Sequence, residues 1–331
     1  MLGIDLGSNT LRAVLMDENF NKIKEVEYII GAAKDLNKSS NIGSEAILNL
    51  KNALKDLLIK GYDLKNAKVC ATAAFRKAKN ASEICKEIWE EFGLKIKIID
   101  EKTEAKLSIL GMKEGLRKLN ISSKQKAFCD LGGGSCELSF DELFRSFEFG
   151  IITFYEKAIR NKTNSFSNHL NFSKKMLEKF KKNTLNKSRD KKFILHFLIK
   201  DKMLKKLAFL AFDEVMHAQR HLSKFKGKNI VLNSGLPTSL LSMKMKMSYE
   251  NYQASRINGK KIFLQDFLNY GIKLWHMPEH KAQIWVGKNR KNYLVAGCFL
   301  FYALYNRQKF IVIDEGLREG ICIAGLRNLS I

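Results

Sequence analysis

Apolar and polar positions divide this chain into short runs with two different periods. Met1–Leu6 and Arg12–Met16 are dense apolar runs separated by Gly7-Ser8-Asn9-Thr10, the pattern of a β-hairpin. Lys22–Ile30 alternates in part and predicts a third strand, and residues 31–42 read as loop. From Ser44 to Ile59 the period changes: Ile47, Leu48, Leu50, Leu54, Leu57 and Leu58 share one helical face. Lys68–Ala74 predicts a buried strand, with Phe75 and Arg76 at its carboxyl end, where open α/β sheets place ligand contacts. Asn80 is placed to cap a helix reaching Phe92. Lys95–Ile99 predicts a strand, and a helix begins near Glu101 with Glu104, Ala105, Leu107 and Leu110. The first half therefore starts as an antiparallel meander and turns parallel.

The pattern restarts at Lys126. Lys126–Phe128 and Leu138–Phe140 flank a glycine turn, Ser146–Gly150 predicts a further strand, and long helices follow. Asn229–Gly235 is a strand entering another glycine turn, with Leu236-Pro237-Thr238 opening the next helix. Phe310–Asp314 is a strand followed by an apolar helix. No linker or low-complexity segment interrupts the chain. A boundary near Leu119–Lys124 gives two α/β domains, 1–122 and 123–331.

The two turns carry the candidate chemistry. Cys129-Asp130-Leu131-Gly132-Gly133-Gly134-Ser135-Cys136-Glu137 places three glycines between two strands, and such a backbone can turn its N–H groups inward around a phosphate. Asp130 leaves the first strand where a carboxylate can hold a metal or orient a water, and Glu137 is placed to reach the same mouth. Ile4-Asp5-Leu6-Gly7-Ser8-Asn9-Thr10 repeats the design. Two Asp-Leu-Gly hairpins, each opening an α/β unit, predict a duplicated fold with a phosphate loop in each half, facing across a cleft.

Composition narrows the partners. The 331 residues are 45% hydrophobic, enough for two cores, and contain no apolar run of 18 or more. The chain opens directly on a strand, so no signal peptide and no membrane association are expected, and the cytoplasm is the expected compartment. The six cysteines lack C-x-x-C spacing and read as buried thiols. The net charge of +24 points to an anionic partner. It is densest over 156–228, a basic helical insertion with 20 Lys/Arg against 6 acids, where Phe193, Leu195, Phe197, Leu198, Leu204, Leu207 and Leu210 are expected to form helix cores. That tract reads as a solvated basic face or as a wall for an extended polyanion. No motif for specific nucleic-acid recognition accompanies it.

With these residues in place, the chain resembles the exopolyphosphatase / guanosine pentaphosphate phosphohydrolase (Ppx/GppA) family of the actin, Hsp70 and sugar-kinase superfamily. The resemblance rests on Ile4–Thr10, Ala71-Thr72-Ala73-Ala74-Phe75-Arg76-Lys77-Ala78-Lys79-Asn80, Thr103-Glu104-Ala105-Lys106-Leu107 with Leu110-Gly111, Asp130–Leu138, and Gly316-Leu317-Arg318-Glu319-Gly320. Cys136 stands where the family has threonine, Thr103 where it has a first glutamate, Gly235-Leu236-Pro237-Thr238 near its G-G-T, and Arg290-Lys291-Asn292 at its R-A-D. The resemblance implies two duplicated actin-like (ribonuclease H-like) α/β domains across a cleft, in the short form without a C-terminal HD domain.

It also implies roles. Glu104 matches the family's catalytic glutamate and would take a proton from the attacking water, with Asp130 and Glu137 beside it. Gly7, Ser8, Asn9, Thr10, Gly132, Gly133, Gly134 and Ser135 would bind phosphate, and Arg76 would add a guanidinium fork. Asp5, Asp130 and Glu137 would ligate Mg²⁺ or another divalent cation. The implied activity is release of terminal orthophosphate from inorganic polyphosphate, from guanosine pentaphosphate (pppGpp), or from both, by a homodimer in family style. A catalytically weak sensor of polyphosphate or (p)ppGpp is the alternative, and a sugar- or acetate-type kinase is allowed by fold alone.

Overall fold

The computed structural model describes residues 1–34, 36–140, 143–160, 188–223, 229–306 and 309–329. The parts of the basic insertion at 161–187 and 224–228 lie outside the described residues.

Two mixed sheets share one plan. In the first, β1 (Leu2–Leu6), β2 (Thr10–Met16) and β3 (Lys22–Ile29) form an antiparallel meander, and β4 (Lys68–Ala71) and β5 (Ile96–Ile98) add parallel to β1 in the order β3-β2-β1-β4-β5. In the second, β6 (Lys126–Leu131), β7 (Cys136–Phe140) and β8 (Leu143–Phe147) repeat the meander. Next, β9 (Asn229–Asn233) and β11 (Lys309–Val312) add in parallel, and β10 (Lys261–Phe263) closes the far edge antiparallel. This is the expected duplication, and its two units are actin-like. The first sheet draws on residues 2–98 and the second on 126–312.

Packing does not follow chain order throughout. Helix Leu317–Leu326 comes after the last strand of the second sheet, yet it packs on β1, β2 and β4 of the first and along helix Glu101–Lys118. This last helix therefore covers the first sheet although it follows the second in the chain. Glycines make the crossing tight. A Cβ built on Gly111 would lie 2.0 Å from the Gly316 carbonyl oxygen, and one on Gly320 would lie 1.8 Å from that of Leu107. The two helices meet backbone to backbone at Gly111, Gly316 and Gly320, directly below the cleft.

Several boundaries differ from the sequence reading for physical reasons. The strand expected at 68–74 ends at Ala71, and Ala73–Lys77 is a short helix that carries Arg76 away from the sheet. The strand expected at 146–150 is β8, shifted to Leu143–Phe147. The chain then turns so that Gly150 lies against the Gly133-Gly134 backbone, where a Cβ would come within 2.3 Å of the Gly133 carbonyl carbon. Asn80 precedes helix Ala81–Phe92 without capping it, because its side chain exchanges two hydrogen bonds with the Ile42 backbone. In the basic insertion, Leu195, Leu204 and Leu207 are buried as expected, while Phe197 and Leu198 are 56% and 51% exposed. All six cysteines are free, with Cys85 half-buried and the others buried. Among the described residues, no helix is long and apolar enough to cross a membrane.

Gly320→Ala should cost about 3 kcal/mol, because its methyl group must push apart two backbones already in contact. Urea unfolding measures this, and an unchanged midpoint would show that the crossing is loose.

Candidate functional site

The central strands β1 and β6 run toward the same cleft and end at Asp5-Leu6 and Asp130-Leu131. Each hairpin closes identically: the Gly7 N–H donates to the Thr10 carbonyl and the Gly132 N–H to the Ser135 carbonyl, both at 2.9 Å. The turn carbonyls are occupied by backbone donors. Ser8 O accepts from Ala33 N, Gly132 O from Ile151 N, and Gly133 O from Ile152 and Thr153 N. Among the described residues no peptide bond is cis, so the N–H of each peptide unit points opposite to its carbonyl. The N–H groups of Asn9, Gly133 and Gly134 therefore point away from these acceptor contacts, and all three residues line the cleft. Successive backbone N–H groups in such turns can form a concave anion site. The turns also touch. Built Cβ atoms on Gly133 and Gly134 would lie 3.0 Å from Ser8 Cβ and Ser8 Oγ respectively, tight contacts that a side chain there would have to push apart.

Strand register exposes an asymmetry between the halves. Opposite Asp5 stands Arg12, and opposite Asp130 stands Glu137. The first hairpin thus places an anion–cation pair at the position where the second places two anions. Glu104 joins them from the first turn of helix Glu101–Lys118. Hydroxyls hold two of the acids. Ser108, one helical turn after Glu104, donates to Asp130 Oδ2 at 3.0 Å, and Ser146 donates to Glu137 Oε1 at 2.9 Å.

Asp5, Gly7, Ser8, Asn9, Thr10, Glu104, Asp130, Gly132, Gly133, Gly134, Ser135 and Glu137 are all brought together around this cleft. Arg76 is placed differently. Its guanidinium lies behind Glu104, bonded to Glu104 Oε2 at 2.7 Å and to the Ile99 carbonyl at 2.8 Å, with Glu101 3.1 Å from its Nε. It is a partner of the expected base and is absent from the cleft lining.

The sequence reading missed a second layer of charge. Arg12 Nε donates to Glu27 at 2.8 Å, Tyr249 Oη donates to the other Glu27 oxygen at 3.2 Å, and Arg290 stands 3.7 Å from it. Arg318 is bound by Glu25, Asp314 and Glu319, and Lys22 lies within 3.5 Å of Glu25, Asp314, Glu315 and Glu319. Aligning the two hairpins residue by residue would have found Arg12, since it occupies the position of Glu137. The rest are joined only by folding.

The two layers are mostly shifted in opposite directions, with Glu315 the exception, raised by burial despite Lys22. The guanidinium of Arg318 and the ammonium of Lys22 outweigh burial and hold Asp314 and Glu319 below the usual carboxylate range. In the cleft the balance reverses. Desolvation, helped by Glu104 and Asp130, pushes Asp5 up to about 7 against the opposing Arg12. Desolvation raises Glu104 to about 7 despite Arg76, and Asp130 to about 6 despite Ser108. Glu137, buried beside Glu104 and Asp130, is pushed well above its ordinary value.

Such a set carries more acids than the two arginines beside it can offset, and its all-oxygen donors fit a hard divalent cation. Among the described residues, the one trio of acids whose oxygens all lie within 4.8 Å of one another is Glu25, Asp314 and Glu319, which Lys22 and Arg318 already neutralise. Asp5, Asp130 and Glu137 do not form so close a cage. That suits Mg²⁺, which is commonly held by one or two carboxylates together with waters and substrate phosphate.

The fold is thus two actin-like units, each bringing a glycine-type turn to one cleft lined by acids. The family model described as the Ppx/GppA phosphatase family matches residues 17–194, more than half of the chain, and the chain belongs to that family. Three solved structures share the fold over nearly its whole length. The Aquifex aeolicus family member is 20% identical, with a TM-score of 0.66, and the match covers 99% of this chain and 97% of that one. An exopolyphosphatase from Cytophaga hutchinsonii is 17% identical, with a TM-score of 0.72 and coverages of 99% and 98%. A protein described as exopolyphosphatase-like is 19% identical, with a TM-score of 0.74 and coverages of 99% and 97%.

Unfolded carboxyls titrate near 4. Between that value and about 6 to 7 the folded cleft holds more protons than the unfolded chain, so stability falls as pH rises through this window. Metal-free protein should melt at lower temperature at about pH 7.5 than at about pH 5, and Mg²⁺ should recover the loss at the higher pH. Asp314 and Glu319 stay ionised throughout and do not mask the trend. A flat melting profile with no Mg²⁺ effect would contradict this description of the cleft.

Proposed function

We propose that this chain is a phosphoanhydride hydrolase that releases the terminal orthophosphate of inorganic polyphosphate, of pppGpp, or of both. One observation carries the reading: four deep-set carboxylates, Asp5, Glu104, Asp130 and Glu137, face two glycine-type turns across one cleft. The turns offer N–H donors to a phosphate chain. The acids offer a proton acceptor and cation ligands.

Hydrolysis of such an anhydride is slow because its oxyanions repel a nucleophile, so the site must neutralise charge and place a water in line. The N–H groups of Asn9, Gly133 and Gly134, with the side chains of Ser8, Asn9, Thr10 and Ser135, would hold the terminal phosphate. Glu104, with its pKa raised to about 7, is poised to accept the water's proton near neutral pH. Arg76 keeps that carboxylate in one orientation and opposes a larger rise. Ser108 holds Asp130 facing it. Asp5, Asp130 and Glu137 would hold Mg²⁺, which would offset phosphate charge when bound.

Purified protein with Mg²⁺ should release orthophosphate from long-chain polyphosphate, from pppGpp, or from each. Glu104→Gln should lower kcat by about 10²- to 10⁴-fold, with KM changed by only a few-fold. Equal activity in the variant would remove Glu104 from the chemistry. Tight binding with no release from either substrate would make the cleft a sensor instead.

A further inference from the structure

At the end of β9 the chain passes Asn233 and Ser234 into helix Gly235–Lys244, and all three residues from Asn233 to Gly235 line the cleft. Ser234 is unusual in two independent ways. Its φ is 125° and its ψ 166°, a conformation that a residue with a Cβ rarely adopts and that glycine tolerates. Its hydroxyl is also buried without a hydrogen-bond partner, in a residue only 8% exposed. The neighbouring hydroxyls are occupied: Thr238 Oγ1 donates to the Ser234 carbonyl and Ser239 Oγ to the Gly235 carbonyl. A strained backbone and an orphaned polar group both weigh against the fold, and replacement by glycine would remove both.

The surroundings are built for an anion. The first N–H groups of the helix have no intrahelical acceptor and open at this point. Two guanidiniums stand over them, since a Cβ on Gly235 would lie 2.5 Å from Arg290 Nη2 and 3.3 Å from Arg12 Nη2. Both arginines are held from behind by Glu27, which fixes their position and offsets part of their charge. The glycine turns lie elsewhere around the same cleft.

We propose that Ser234 is a substrate-binding residue, its hydroxyl donating to a second phosphate group of the substrate, inward of the terminal one, at the start of helix Gly235–Lys244. This rests on the reading that phosphates occupy the cleft. The site recognises a chain of at least two linked phosphates and adds nothing for free orthophosphate, which the turns alone hold.

Calorimetric titration of the full chain with Mg²⁺ and either orthophosphate or inorganic tripolyphosphate tests this, in the Glu104→Gln background to prevent turnover. Ser234→Gly should weaken tripolyphosphate about tenfold, leave orthophosphate within about twofold, and raise the melting temperature. Ser234→Ala should weaken tripolyphosphate equally with a smaller gain in melting temperature, since it keeps the Cβ. A more stable Ser234→Gly protein with unchanged tripolyphosphate affinity would overturn the proposal, as would equal losses for both ligands, a fall in melting temperature, or no tripolyphosphate binding by the parent. Absence of orthophosphate release from polyphosphate and pppGpp by the unmutated chain would instead refute the hydrolase reading, and the binding comparison would still be decisive for Ser234.

Discussion

Charge that is buried must be balanced, and this molecule balances it in one place while leaving it open in another. Lys22, Arg12, Arg290 and Arg318 answer Glu25, Glu27, Asp314 and Glu319 within a few ångströms. A few ångströms further in, Asp5, Glu104, Asp130 and Glu137 have Arg76 as a direct ion partner for Glu104, Arg12 across the strand from Asp5, and hydroxyls for Asp130 and Glu137. The first layer is largely balanced by the protein, with Glu315 beside Lys22 left over. The second can be completed by protons or by a cation, and a cation completes it without removing the carboxylates' negative charge. The opposite pKa shifts of the two layers follow from this difference.

Duplication supplied the frame and divergence supplied the polarity. Both hairpins spend the same backbone donors on closure. The residue across from the strand-end aspartate then decides what each half offers: Arg12 brings positive charge into the cleft, and Glu137 adds negative charge. A symmetric cleft of two Asp–Arg hairpins would hold anions and lack a third acid for a metal. Two Asp–Glu hairpins would repel the phosphates they were meant to hold.

Local sequence made much of this legible. Period-two runs around Gly-rich turns specify the hairpins at 1–16 and 126–140, because a short turn leaves the flanking residues little choice of partner. Helices Ser44–Ile59 and Glu101–Lys118 followed from their apolar faces. What escaped was non-local. Arg76 has the chemistry of a phosphate ligand, and its capture by Glu104 depends on where a five-residue helix points it. The second charge layer joins β2, β3, a segment near 290 and the 314–319 turn, which no window along the chain contains. Ser234 lies in a stretch whose strand-to-glycine-turn character was read correctly, but its backbone angle has no signature in composition.

The helix that crosses back carries a consequence for how the chain reaches this state. Val14 and Met16 of the first sheet pack against Cys322 and Ile323, and Cys70 against Leu317 and Ile321. These strands are synthesised early and their cover late, after the entire second unit. While the second unit is being made, one face of the first sheet stands without its helix, exposed to other chains and to chaperones. The order of manufacture thus makes the two units one cooperative folding problem, in which the half that begins first is the half that finishes last.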